Sequence, residues 1–174
     1  MAYDYYVSID PSINYCGICI WKSNNDRFKI IGKGLIKPDP KCDNEYAKAD
    51  SVKEQIYNIV NKCCDKGTTY MVLEVPAHWV IGGFEARESG NLGKLQFVCG
   101  MLYGILGASH TYWVFPATWK GQYPKHVVRN RLRDIHFKDN ENLKQYINKC
   151  NHNVMDAIGI GYWYLYKKKL GKTV

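Results

Sequence analysis

Tyr5-Tyr6-Val7-Ser8-Ile9-Asp10-Pro11 is an aromatic and β-branched run that stops on a carboxylate, and the proline after it favours a turn. It reads as a strand with an acid at its end. Thr69-Tyr70-Met71-Val72-Leu73-Glu74-Val75-Pro76 repeats the design: a nearly continuous apolar stretch, the pattern of a strand buried on both faces, with Glu74 close to its end and a proline closing it. Around these two runs, Tyr15 to Lys22 and Phe28 to Leu35 have strand character and are separated by the polar Ser23-Asn24-Asn25-Asp26. The chain therefore opens with an antiparallel meander of three strands.

Helices fill the intervals. From Asn44 to Lys66, Ala49, Val52, Ile56, Ile59, Val60 and Cys63 recur at helical spacing, and Gly67 supplies a stop. Asn91 to Ala108 is a second helix with Leu92, Leu95, Cys99, Leu102 and Leu106 on one stripe. Its Gly93, Gly100, Gly104 and Gly107 share another face, where a backbone can come close. Packing on the sheet is the first reading of that face, and a helix from a second subunit is the alternative. Thr111 to Phe115 is a fifth strand, Lys125 to Phe137 a basic helix and Asn153 to Lys169 a last helix. The order, βββαβαβ followed by helices, gives an α/β protein with a mixed five-stranded sheet covered on both faces.

At 174 residues the chain is expected to form a single domain, residues 1–174, with a core of its own. No run approaches the 18 or more apolar residues of a membrane span, and Met1 to Asp10 lacks the pattern of a signal peptide, so the expected location is the cytoplasm. Seven cysteines are an odd count that a cytosolic chain keeps as thiols. Cys16 and Cys19 form a C-x-x-C, but on a strand an offset of three sends the two side chains to opposite faces, which argues against zinc.

The net charge of +8 is unevenly placed. Residues 1–115 hold 12 Lys/Arg and 12 Asp/Glu, whereas residues 116–174 hold 12 and 4. Lys120, Lys125, Arg129, Arg131, Arg133 and Lys138 face a lone Asp134. A polyanion is the natural partner, because each neutralised phosphate releases counterions, although a solvated basic helix face accounts for the charge equally well.

Three acids are hard to explain as solvated surface: Asp10 and Glu74 at strand ends, and Asp156 inside the apolar Val154-Met155-Asp156-Ala157-Ile158-Gly159-Ile160. Unpaired burial would cost several kcal/mol or force protonation. A divalent cation answers all three at once, and hard oxygen ligands suit Mg²⁺ or Mn²⁺ better than zinc. Two such ions, roughly 3.5 to 4 Å apart, can grip a phosphate and activate the water that attacks it.

These residues resemble those of a known family. Val7-Ser-Ile-Asp-Pro-Ser-Ile-Asn-Tyr-Cys-Gly17 resembles the first strand of RuvC-type Holliday junction resolvases, Met71-Val-Leu-Glu-Val-Pro76 their second acidic strand, and Asn153-Val-Met-Asp-Ala-Ile-Gly-Ile160 their C-terminal Asp-Ala helix. Leu95 to Gly100 looks like the central helix, and Pro116 to Lys120 with Lys125 match proline and basic positions. The compact insertions are similar to those of the bacteriophage branch, whose members work in the bacterial host cytoplasm. The resemblance implies a ribonuclease H-like fold and a homodimeric, Mg²⁺-dependent endodeoxyribonuclease acting on four-way junctions. It makes Asp10, Glu74 and Asp156 metal ligands and puts Lys120 and Lys125 on DNA, while the charge of the basic helix adds Arg129 and Arg133 as expected DNA contacts. The fourth ligand of the family is replaced by Asn153, with His152 one step earlier; either would assist catalysis, or Asn153 would cap the last helix. Trp79 and Phe84, in the loop with His78 after Glu74, would stack on unpaired bases or pack on the core.

Two other nucleic-acid readings stay open: a ribonuclease H-like nuclease with a different substrate, and a DNA-binding module without catalysis. An actin-like sugar or acetate kinase needs two such domains, and no Walker A motif is present, so no nucleotide cofactor is expected.

Overall fold

The computed structural model describes residues 3–24, 27–64, 67–76 and 90–171. Five strands form one sheet in the order β3-β2-β1-β4-β5. They are β1 (Tyr3–Asp10), β2 (Cys16–Asn24), β3 (Arg27–Ile36), β4 (Gly67–Glu74) and β5 (Thr111–Val114). β1 to β3 are an antiparallel meander, while β4 runs parallel to β1 and β5 parallel to β4. The mixed five-stranded sheet with helices on both faces is the fold expected from the sequence.

Strand alternation sorts the core into two layers. Val7, Ile9, Ile18, Ile20, Met71 and Leu73 pack with α1 (Glu45–Cys63) and α2 (Asn91–Leu106) on one face. Tyr6, Cys19, Trp21, Val72 and Val114 pack on the other face with the C-terminal helices. Cys16 and Cys19 belong to opposite layers, and all seven cysteines are free thiols. α1 starts where Asn44 accepts a hydrogen bond from the Ala47 amide at 2.9 Å, which satisfies one of the donors a helix start leaves open.

Several expected elements differ in the structure. α2 buries Val98, Cys99 and Leu102. A Cβ added at Gly93, Gly100 or Gly104 would meet nothing within 4 Å among the described residues, so the glycine face is not the sheet-packing face. The basic helix α4 (Lys125–Arg131) widens into π turns over Leu132–His136. α5 (Glu141–Lys149) was not anticipated, because its polar sequence carries only Leu143 and Ile147 on the buried side, with Asn140 as its cap. The last helix, α6 (His152–Tyr162), starts one residue early and runs into π turns over Trp163–Lys169. Its cap is Asn151, which accepts from the Asn153 amide at 2.9 Å, and not Asn153. No helix among the described residues is long and apolar enough to cross a membrane.

Candidate metal-dependent nuclease site

The pairing of β1 with β4 brings the first two acids together. Ile9 pairs with Leu73, so one step further Asp10 and Glu74 leave the sheet side by side, at the C-terminal ends of parallel strands. Their parity matches Tyr6 and Val72, the residues facing α6. α6 carries Asp156, which is 3% exposed, toward the same edge. Close approach makes this possible. A Cβ at Gly17 would stand 2.0 Å from the Asn153 carbonyl oxygen, and one at Gly161 would strike the Trp21 ring. The Ser8 hydroxyl donates to the Ala157 carbonyl at 2.7 Å and accepts from the Trp21 indole at 3.1 Å, tying β1 and β2 to α6.

A cation already stands among the acids. Lys120 Nζ lies 3.0 Å from Asp156 Oδ2 and 3.4 Å from Glu74 Oε2. α3 (Pro116–Trp119), a single turn after β5, delivers both Lys120 and its neighbour Trp119. The Trp119 indole N–H donates to Glu74 Oε2, and its ring covers Gly159, where a Cβ would come within 2.4 Å of it. Trp119 therefore orients Glu74. Neither contact was foreseen: Lys120 was assigned to DNA, and no signal near Glu74 or Asp156 in sequence points to a residue 36 or more positions away.

Among the described residues, no three His, Cys, Asp or Glu side chains form a ready-made metal cage. Lys120 supplies the positive charge instead. The donor chemistry nonetheless fits a hard cation, since Asp156 Oδ1 is buried with no hydrogen-bond partner among the described residues. Burial, then the charges of Glu74 and Asp156, push the Asp10 carboxyl well above the usual range, against a smaller pull from Lys120 and Lys125. Burial also raises Glu74, while Lys120 and Trp119 draw it back. Burial works to lower Lys120, but Glu74 and Asp156 outweigh it and hold the ammonium above its ordinary value.

The Asp10 shift has a measurable consequence. A carboxyl raised by folding contributes its full stability only below its unfolded value, about 3.9, and that contribution is lost as pH rises through the folded value. In the metal-free protein the contribution of Asp10 is therefore expected to fall from about pH 4 upward. Asp10→Asn, which cannot ionise, should melt above wild type near neutrality and approach it in acid. Thermal unfolding in chelator across this range is the check, and a wild type that gains on the variant as pH rises would contradict it.

The other assigned residues fall in different places. His152 is exposed at the first position of α6. Asn153 is buried and its side-chain amide donates to the Tyr15 carbonyl, joining α6 to the start of β2. Lys125 is exposed at the start of α4. Arg129 is turned inward, donating to the Asn148 carbonyl at 3.0 Å and the Cys150 carbonyl at 3.2 Å, where α5 leaves carbonyls without helical partners. Arg133 pairs with Asp134 and reaches Asn148 Oδ1 at 3.2 Å. Both arginines fasten α4 to α5. His78, Trp79 and Phe84 lie outside the described residues.

No family model matches the chain, and no curated protein sequence matches it. Solved structures do. RuvC of T. thermophilus in complex with a Holliday junction substrate superposes with a TM-score of 0.59 at 10% identity, over 97% of each chain. The fowlpox virus resolvase in complex with Holliday junction DNA gives 0.61 at 13% identity, over 97% of this chain and 99% of that one. The yeast mitochondrial Holliday junction resolvase gives 0.59 at 14%, over 95% and 80%. The fold is thus shared along nearly the whole chain, at 10 to 14% sequence identity.

Proposed function

We propose that this chain is a divalent-metal-dependent endonuclease that resolves branched DNA, four-way junctions above all. The observation that carries the reading is the convergence of Asp10, Glu74 and Asp156 on one sheet edge, with one oxygen of Asp156 left without a partner. The shared fold supports it, because two of the similar structures hold Holliday junction DNA.

In this mechanism Asp10, Glu74 and Asp156 hold one or two Mg²⁺ or Mn²⁺ ions. Such ions lower the pKa of a bound water and stabilise charge on the phosphate oxygens. The protein's own part is positional. Trp119 fixes Glu74, and the glycines beneath α6 set the depth of Asp156. Lys120 offsets the charge of Glu74 and Asp156 and is the protein's own cation for a phosphodiester drawn to that edge. Lys125, Arg131 and Lys138, all exposed, extend a positive path away from the edge. Arg129 and Arg133 act mainly by holding that path in shape. His152, exposed beside the first turn of α6, is available to exchange a proton with solvent; Asn153 serves the packing of that turn.

Symmetric nicking of a junction calls for a homodimer. Among the described residues nothing covers the glycine face of α2, which borders a cleft of about 380 Å³ lined by Val75, Pro76, Cys99, Gly100, Trp113 and Phe115, and this is the surface proposed for a second copy.

The second reading, a DNA-binding module without catalysis, is favoured by one observation: Lys120 already compensates two of the acids. Four-way junctions, flaps, linear duplex and RNA hybrids, each incubated with and without Mg²⁺, separate the readings. Mg²⁺-dependent cutting of junctions at least about tenfold faster than duplex is expected. Preferential cutting of duplex or hybrid points to another nuclease, and tight binding with no cutting to the module.

A further inference from the structure

Beside the acidic edge, on the other side of Trp119, lies a second cavity of about 230 Å³. Its walls include Trp119, Lys120, Tyr123, Arg131, Trp163 and Lys167. Three properties distinguish it from a packing defect. Aromatic rings form much of the wall, and Tyr162 among them is itself stacked on Tyr166 with centroids 4.4 Å apart, so the surface is stiff. Cations stand around it: Arg131 and Lys167 line the cavity, and the Lys120 ammonium, turned to the acids, stands at its edge. The Arg131 guanidinium is stacked over the Tyr123 ring at 4.1 Å, with one nitrogen 3.4 Å from that hydroxyl, which presents a flat cationic plate at the rim.

Flat rings with donors around them suit a planar, acceptor-bearing molecule, and cations at the rim suit one joined to phosphate. Because Trp119 and Lys120 belong to both this cavity and the acidic edge, the ligand would be continuous with the strand at the acids. We infer that the cavity behind Trp119 receives one unpaired nucleobase of the strand whose phosphodiester lies at Asp10, Glu74 and Asp156. The volume admits one base and no base pair, so the pocket selects DNA that is already unpaired near the cut, or pays to unpair it.

The inference rests on the nuclease reading for the position of that strand, and its test needs no cleavage. The probes are a fluorescent single-stranded oligonucleotide of mixed sequence and the same strand made wholly of abasic residues, titrated by anisotropy in chelator. Wild type should bind the strand with bases about tenfold more tightly, the scale of one base stack on an aromatic surface. Thr118→Phe, at an exposed position lining the cavity, fills the space and should bind both strands alike. Arg131→Gln removes the rim plate without adding bulk and should shrink the preference to about threefold; it keeps the test open if the first variant unfolds. Equal binding of both strands by wild type overturns the proposal, as does a preference that survives in a folded Thr118→Phe. A protein that cuts nothing yet shows the pocket-dependent preference would sink the nuclease reading and leave the pocket standing.

Discussion

Asp156→Asn is expected to slow junction cleavage by about three orders of magnitude or more while leaving junction binding within about twofold, a loss equal to at least about 4 kcal/mol of transition-state stabilisation. The substitution keeps the shape of the side chain and removes its charge. Asp156 has one oxygen on Lys120 at 3.0 Å and the other with no partner among the described residues, so it is poised to give two acceptors to an incoming ion. An amide gives one, without charge. Relief of crowding among the three acids should keep the variant folded, so loss of activity cannot be blamed on loss of structure. The measurement is single-turnover cleavage of a labelled four-way junction in Mg²⁺, with binding read in parallel in Ca²⁺. Unchanged cleavage would mean that the chemistry happens elsewhere.

Gly17→Ala should be the most damaging single methyl group beneath the helix that carries Asp156. The new Cβ would sit 2.0 Å from the Asn153 carbonyl oxygen, 2.3 Å from its carbon and 2.8 Å from the Val154 nitrogen. All three are backbone atoms, so no rotamer change can make room, and β2 and α6 must separate. Overpacking commonly costs about 1 to 3 kcal/mol, and a clash with backbone belongs at or beyond the upper end. Chemical unfolding should show that loss. A cleavage defect should accompany it even where the variant is fully folded, because the displaced segment carries Asp156 one turn further on. A variant as stable as wild type would show that the helix does not lie this close to the strand.

The sequence exposed the parts of the site whose signal is local. Asp10 and Glu74 stand out because an apolar strand should not finish on a charge, and Asp156 because its neighbours on both sides are buried. The order of elements implied a mixed sheet, while the parallel pairing of β1 with β4 that sets the first two side by side came with the fold. What escaped was everything decided by long-range contact. Lys120 was read as one basic residue among six, yet the short turn after β5 places it between two acids 46 and 36 positions away. Arg129 and Arg133 belong to the same basic stretch and serve a helix that polar composition had concealed. The glycines of α2 showed that a face was special, but only coordinates could tell that the sheet does not cover it. Cap position was missed by two residues, because Asn151 and Asn153 are equally good candidates until the Tyr15 carbonyl claims one of them.

The helix bearing Asp156 lies 146 residues after the strand bearing Asp10, with Gly17 and Asn153 in direct apposition. A partly translated chain therefore has two of its acids on neighbouring strands but lacks the third, together with the helix that roofs them. The three acids come together only when that helix docks on the sheet, a step slowed by the entropy of closing so large a loop. Under the proposed nuclease reading, products that stop short of α6 are expected to be inactive.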